Sequence, residues 1–186
     1  MYPGQRRYVS RVTGREPILV RPVRPEEYDP VGELVVEAYR TLGDVGDEVY
    51  EQQHLRDVAG RMASAEVLVA EVGGRVIGTV TFVDGLAALS EVDDPDAATI
   101  RMLGVATQAR GRGVGEALLR ACIDRACASG RRRVRLDTRT SMTSAQRLYE
   151  RLGFQRDPAH DWSPAAGVLL LGYVLELEAR HEQRDS

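Results

Sequence analysis

Two stretches of the chain hold residues whose types and spacing can do chemistry. The first is Arg110-Gly111-Arg112-Gly113-Val114-Gly115. Alternate glycines let a backbone turn tightly and come close to a ligand, and the amphipathic pattern after them predicts a helix. A helix start offers unpaired N–H groups and the positive end of its dipole, so a pyrophosphate is the natural guest. Arg110 and Arg112 add charge-assisted donors; a solvated strand-to-helix turn is the plain alternative. A P-loop is excluded, because it needs Gly-Lys-Ser/Thr and the chain has no lysine. A dinucleotide fingerprint lacks its third glycine, since Gly113-Val114-Gly115 runs into Glu116-Ala117-Leu118. Asp137, 22 residues after Gly115, stands where a ribose-binding acid could sit. Too few strand–helix units follow the turn, however, for a doubly wound sheet.

The second stretch is the helical run that ends Leu148-Tyr149-Glu150-Arg151-Leu152-Gly153-Phe154. Tyr149 shares the apolar stripe of Ala145, Leu148 and Leu152. It reads as a core aromatic whose hydroxyl is a chemical handle. Cys122 and Cys127 are five apart, about 140° around a helix, so they cannot pair there. Neither has a histidine in a nucleophile arrangement, which argues against a covalent enzyme intermediate. With three His, two Cys and no CxxC or HxxxH spacing, no metal site is expected.

The elements that must position these residues fit in one domain of 186 residues. A domain of this size folds without disulfides or metal. The net charge of −3 argues against nucleic acid as the main partner. The apolar stretches are too short for a membrane span, and residues 1–17 lack the apolar core of a signal peptide. A reducing cytoplasm fits the cysteine usage. All 25 basic residues are Arg, and neither Lys nor Asn occurs, which hints at a GC-rich bacterial genome.

Residues 1–17 read as an arm, loose or dependent on a partner, and 178–186 as a tail. Between them, strands are expected at Ile18–Val23, Glu66–Val72, Arg75–Val83, Ala98–Val105, Val134–Thr138, from Phe154-Gln155, and at Gly167–Leu177. Gly73-Gly74 should make a hairpin turn. Helices are expected over Asp29–Leu42, Glu48–Ala63, Gly113–Ser129 and Ser141–Leu152. Gly130 and Gly153 are placed to end the last two. The class is α/β (α+β): a mixed sheet of six to seven strands flanked by about four helices.

Leu103-Gly104-Val105 followed by Arg-Gly-x-Gly-x-Gly resembles the acetyl-CoA motif of the GNAT family of N-acetyltransferases. Met142-x-x-Ala145-x-x-Leu148-Tyr149-Glu150-Arg151-Leu152-Gly153-Phe154 resembles their second motif, N-x-x-A-x-x-L-Y-x-x-x-G-F. The element order resembles that family over residues 18–177. The resemblance implies a splayed sheet in which the strand of Leu103–Val105 diverges from that of Val134–Thr138. The gap would admit the pantetheine arm of acetyl-CoA. Backbone groups of Leu103 and Val105 would pair with it like an added strand, flanking Gly104. The N–H groups from Arg110 through Gly111, Arg112, Gly113, Val114 and Gly115 would hold the pyrophosphate. Tyr149 would reach the thioester sulfur. Two departures stand out. Met142 replaces the motif's Asn, and Ala98-Thr99-Ile100 stand where some relatives carry an acid.

The expected reaction is transfer of acetyl from acetyl-CoA to a primary amine by direct attack in a ternary complex. A lysine-like amine of pKa about 10.4 costs roughly 4.6 kcal/mol to neutralise at pH 7, and an α-amine near 8 about 1.4 kcal/mol. A backbone N–H near Val105 would polarise the thioester, and Tyr149 would protonate the thiolate. The base is unassigned among Glu91, Asp93, Glu48, Glu51, water and a backbone carbonyl. Asp84, Glu91, Asp93, Asp94 and Asp96 in one loop favour a cationic acceptor, unless the loop is merely solvated. Trp162 is expected to wall the acceptor pocket or to fill the core. The partners expected are thus acetyl-CoA or CoA and an amine, with no nucleic acid, no membrane and no metal; a homodimer stays open. The alternative is a non-catalytic acyl-CoA-binding sensor or scaffold.

Overall fold

The computed structural model describes residues 8–10, 16–41, 54–85, 94–165 and 167–177. Glu48, Glu51, Glu91 and Asp93, together with the first part of the expected second helix, lie outside the described residues.

Nine strands are described: β1 (Tyr8–Ser10), β2 (Ile18–Pro22), β3 (Glu66–Val72), β4 (Arg75–Asp84), β5 (Ala97–Val105), β6 (Arg133–Arg139), β7 (Gln155–Arg156), β8 (Trp162–Ala165) and β9 (Val168–Glu176). The helices are α1 (Tyr28–Arg40), α2 (Val58–Met62), α3 (Val114–Ala128) and α4 (Thr143–Arg151). The seven expected strands are present within a residue or two. The two added ones are the short β1 and β8. β1 lies in the arm and pairs antiparallel with β2, Tyr8 opposite Val20.

The sheet runs β1-β2-β3-β4-β5-β6-β9-β7, with β8 paired to β9. Gly73 and Gly74, at φ 56° and 78°, make the two-residue hairpin turn that positive φ at both central positions permits. Among the described residues, β5 and β6 are the one parallel pair. Alternation sends neighbouring side chains to opposite faces. Leu68 and Ala70 of β3 join the core under α3, whereas Val67 and Val69 pack with Val31 of α1 and Val58 of α2.

Two glycines let helices approach the sheet from its two faces. A Cβ on Gly78 of β4 would meet Val114 Cγ1 of α3 at 2.7 Å. A Cβ on Gly104 of β5 would meet Ala38 Cβ of α1 at 3.3 Å. The register sets Thr79 opposite Gly104 and Gly78 opposite Val105. The start of α3 and the end of α1 therefore sit over the same stretch of β5.

The stripe Val114, Ala117, Leu118, Ala121, Cys122 and Ala126 is buried as its spacing predicts, and Leu119 joins it. Both long C-terminal helices stop in the same way. In α4, Gly153 N–H donates to Glu150 O and Phe154 N–H to Tyr149 O, each at 3.0 Å, with Gly153 at φ 94°. In α3, Gly130 N–H donates to Cys127 O and Arg131 N–H to Ala126 O. These are Schellman ends, which need a left-handed residue after the cap. The one on α4 also lays Phe154 against the Tyr149 ring, centroids 6.1 Å apart.

Candidate active site

The central opening has a local cause. Thr79 faces Gly104 and Thr81 faces Arg101, so Val80 alone stands opposite Met102 and Leu103. This is a β-bulge, with Met102 at φ 53°. On the other edge of β5, pairing with β6 runs only from Ala97↔Arg133 to Ile100↔Leu136. Beyond it β5 continues to Val105 and β6 to Arg139 without pairing to each other. Ala106 N–H turns to Ile77 O on β4, 3.0 Å away. By alternation the backbone groups of Leu103 and Val105 face the opening. Both side chains are half-buried against the α3 core, and Gly104 is buried.

The glycine turn lies just after β5. Gly111 (φ 71°) and Gly113 (φ 84°) adopt left-handed backbone, and a Cβ on either would meet no atom within 4 Å. Their requirement is conformational rather than one of space. Gly115 differs: a Cβ there would stand 3.2 Å from Leu148 Cδ2, so this glycine sets how closely α3 meets α4. The first described bond of α3 is Ala117 N–H to Gly113 O. The N–H groups of Val114, Gly115 and Glu116 thus stand at the open end of the helix. Arg110 and Arg112 part company. The Arg110 guanidinium turns inward to Ala38 O (3.2 Å), Thr41 Oγ1 and Val105 O (3.4 Å), and its N–H donates to Thr107 O. Arg112 is exposed.

Tyr149 is 6% exposed, with its ring against Phe154 and, edge-on at 5.7 Å, against Tyr173. Burial pushes its phenol well above the ordinary range; nearby Tyr173 and Asp137 add to this. The Thr138 hydroxyl of β6 works in the other direction, as the largest influence after burial, without closing a bond of good geometry. Thr138 Oγ1 is buried with no partner among the described residues. Such an orphaned polar atom beside the tyrosine, on the stretch of β6 beyond its pairing with β5, suits a polar ligand in the opening. Met142 caps α4 without a side-chain bond. Gln146 Nε2 instead holds the preceding turn through Arg139 O (3.0 Å) and Thr140 O (3.1 Å).

The acidic loop divides. Asp84 bonds Arg131 at 2.6 Å, and Asp94 bonds Arg133 at 2.8 Å and Arg135 at 3.4 Å. Partial burial pushes the Asp94 carboxyl up, but the Arg133 bond, the Asp96 N–H and Arg135 hold it below the ordinary range. These acids sit before Ala97, where β5 and β6 are still paired. Arg101 is four residues further on, about 13 Å along the strand. Trp162, on β8, is half-buried, and its Nε1–H donates to Asp137 Oδ2 at 3.2 Å. Asp137 carries no acceptor-side signature in the sequence. Its only signal was a carboxylate at a strand end, and the pairing with Trp162 spans 25 residues. Burial raises the Asp137 carboxyl above its ordinary range, against the Trp162 bond and the Arg101 charge. Cys122 is fully buried and its thiol is pushed up to about 12, so it is no nucleophile at neutral pH. Among the described residues no cluster of His, Cys, Asp or Glu could hold a metal ion. No described helix is long and apolar enough to cross a membrane.

The split parallel pair thus ends beside a left-handed glycine turn and an open helix start. The chain belongs to the acetyltransferase (GNAT) family, whose profile matches residues 29–154. It is 41% identical over 124 residues to the mouse (Mus musculus) protein named probable N-acetyltransferase family 8 member 5. That match takes in 61% of this chain and 52% of the mouse protein, so the chain spans about half the length of the curated relative it matches. Solved structures share the fold at low identity. A GNAT-family acetyltransferase of Staphylococcus aureus Mu50 superposes with a TM-score of 0.71 at 17% identity, covering 87% of this chain and 99% of that one. The structure of yncA from Salmonella typhimurium with its cofactor acetyl-CoA gives 0.63 at 21%, covering 91% and 98%. Ribosomal-protein-alanine N-acetyltransferase from Brucella melitensis gives 0.63 at 20%, covering 86% and 99%.

Proposed function

We propose that the chain is an N-acetyltransferase that moves acetyl from acetyl-CoA to a primary amine by direct attack in a ternary complex. The observation that carries this reading is the β5–β6 opening, which ends beside the open N-terminus of α3. Acetyl-CoA supplies an activated thioester on a long, thin arm. The opening fits such an arm, because β5 has no strand partner on that edge beyond Ile100, which leaves the Leu103 backbone and the Val105 N–H to pair with its amides, while Val105 O already accepts from Arg110. Thr138 offers a further buried hydroxyl. The pyrophosphate falls to the turn, where Gly111 and Gly113 bend the chain and Val114 and Gly115 present N–H groups. Arg112 adds charge from the surface. Arg110 holds the turn against α1 through Ala38 O.

A backbone N–H near Val105 polarises the thioester carbonyl. Tyr149 stays protonated at neutral pH because of its burial. It donates a hydrogen bond to the departing sulfur and hands over its proton as the amine nitrogen loses one. No enzyme nucleophile takes part, consistent with the buried, neutral Cys122. The acceptor approaches from the α1 face. Residues 18–177 carry the activity, and the free cysteines and arginine-only composition suit a bacterial cytoplasm.

The test is thiol release from acetyl-CoA over a panel of amines, alongside calorimetric titration of acetyl-CoA. Turnover on at least one amine supports the reading. Tight binding with no turnover on any amine makes the chain an acyl-CoA-binding module instead.

A further inference from the structure

Past Leu136, the last residue of β6 paired to β5, the strand turns its side chains to opposite faces of the sheet. Thr138 goes to the α3–α4 face beside Tyr149, and Asp137 to the other. Asp137 and Arg101 are the first residues beyond the pairing on the two diverging strands. The Asp137 carboxylate is part-buried and keeps one strong donor, the Trp162 indole at 3.2 Å. The other acids near it are occupied. Asp161 is held by Arg156 at 2.9 Å and by Gly172 N–H at 2.9 Å. Asp157 is held by Arg135 at 2.6 Å and by His160 at 2.8 Å. Gly172, directly across from Asp137 on β9, leaves room there for the Asp157–His160 turn: a Cβ on it would stand 3.0 Å from Asp157 O and 3.1 Å from His160 O.

We propose, on the footing of the acetyltransferase reading above, that Asp137 is the general base: it receives the acceptor ammonium at the mouth of the β5–β6 opening and takes its first proton. Trp162 is a positioning residue that aims the carboxylate and stabilises its charged form. The protons balance. One N–H proton of the ammonium passes to Asp137 Oδ and on to solvent. The neutral nitrogen forms a C–N bond with the thioester carbon, and the C–S bond breaks. The second N–H proton replaces the one that Tyr149 gives to the sulfur, leaving amide and free thiol.

Charged and titratable groups face Asp137 from each element packed around it. They are Arg101 on β5 and His160 and Asp161 on the turn before β8; Tyr149 of α4, on the opposite face, feels the Asp137 charge without facing it. Arg101 and His160 favour its carboxylate, and Asp161 and burial oppose it. Titration at the site must therefore be assigned by substitution. Trp162 is the only tryptophan in the chain, so its fluorescence reports this contact in the protein without substrate.

The experiment compares wild type, Asp137→Asn and Trp162→Phe. Asp137→Asn should keep acetyl-CoA affinity within about twofold by calorimetry. Its kcat/KM for the amine should fall by about 10²-fold or more at pH 7. The deficit should shrink as pH approaches the pKa of the amine, which then arrives neutral. Trp162→Phe removes a donor that favours the carboxylate, so the acid limb of kcat/KM should move to higher pH with a smaller loss. Wild-type fluorescence should inflect with the acid limb, and the inflection should vanish in Asp137→Asn. A folded Asn variant within about twofold of wild type at every pH overturns the proposal, as does an equal loss at every pH. Should the Asn variant not fold, a wild-type inflection more than about one pH unit from the acid limb overturns it instead. Wild type whose tryptophan titrates but which acetylates no amine fails differently, because it removes the acetyltransferase reading and this proposal with it.

Discussion

The Arg110 guanidinium donates to the carbonyl of Ala38, 72 residues earlier in the chain and 3.2 Å away in space. This bond closes the C-terminal turn of α1 onto the glycine turn that precedes α3. A residue whose type suggests a phosphate ligand thus acts as a brace, while Arg112 next to it stays exposed.

The two arginines should separate by salt dependence. Arg110→Ala should lower stability by about 1 kcal/mol through its lost carbonyl bonds. It should weaken acetyl-CoA binding several-fold, with little change in ionic-strength dependence. Arg112→Ala should leave stability unchanged and weaken binding most at low salt, because exposed charges are screened. Calorimetric titrations at two salt concentrations, paired with thermal unfolding, check both.

Gly113 occupies left-handed backbone with open space around a Cβ. Gly113→Ala should therefore cost only the conformational penalty of about 1–2 kcal/mol. Gly113→Glu adds a negative charge beside the helix start and should abolish measurable acetyl-CoA binding while the circular dichroism stays that of the wild type. Wild-type affinity in a folded Glu variant would show that the pyrophosphate lies elsewhere.

Tyr149→Phe keeps a ring packed between Phe154 and Tyr173. Stability should change by about 1 kcal/mol or less, and kcat should fall by about 10²–10⁴-fold with acetyl-CoA affinity little changed. The raised phenol pKa means no limb from Tyr149 appears below pH 10. Steady-state kinetics between pH 6 and 10 check this; turnover within about twofold of wild type would make Tyr149 a core residue alone.

Cys122 couples stability to alkaline pH. Its thiol is pushed up to about 12 by burial, against an ordinary value near 9. The unfolded chain therefore releases this proton first. The contribution is complete below about pH 9 and lost as pH rises towards 12. Cys122→Ala should flatten that part of the stability curve in denaturant titrations, at the expense of a smaller core side chain. In the native wild type, Cys127 should react with a thiol reagent well before Cys122, since it is only part-buried.

Met142 offers a gain. It sits at the N-cap of α4 without a side-chain bond, and an amide there accepts from the first-turn N–H groups. Met142→Asn should raise stability by about 1 kcal/mol, seen as a higher Tm, and should not lower activity.

Much of this was legible from residue types and order. The α3 stripe, the Gly73-Gly74 hairpin and the stops at Gly130 and Gly153 follow from local periodicity and left-handed backbone, both of which act within a few residues. The glycine turn and Tyr149 were legible for the same reason, because helix starts and helix stripes are short-range patterns. What the tertiary structure decided is everything that joins distant segments. The bulge at Met102 splits β5 from β6 only because Val80 on β4 stands opposite two residues. Arg110 turned from ligand to brace because α1 ends over β5, an approach that Gly104 permits. Asp84 and Asp94 were drawn from the loop to arginines near β6. Asp137 and Trp162 met only when β8 folded back on β9. A sequence states which groups are present and which face of its own element each takes; which charges neutralise one another depends on packing between strands far apart in the chain.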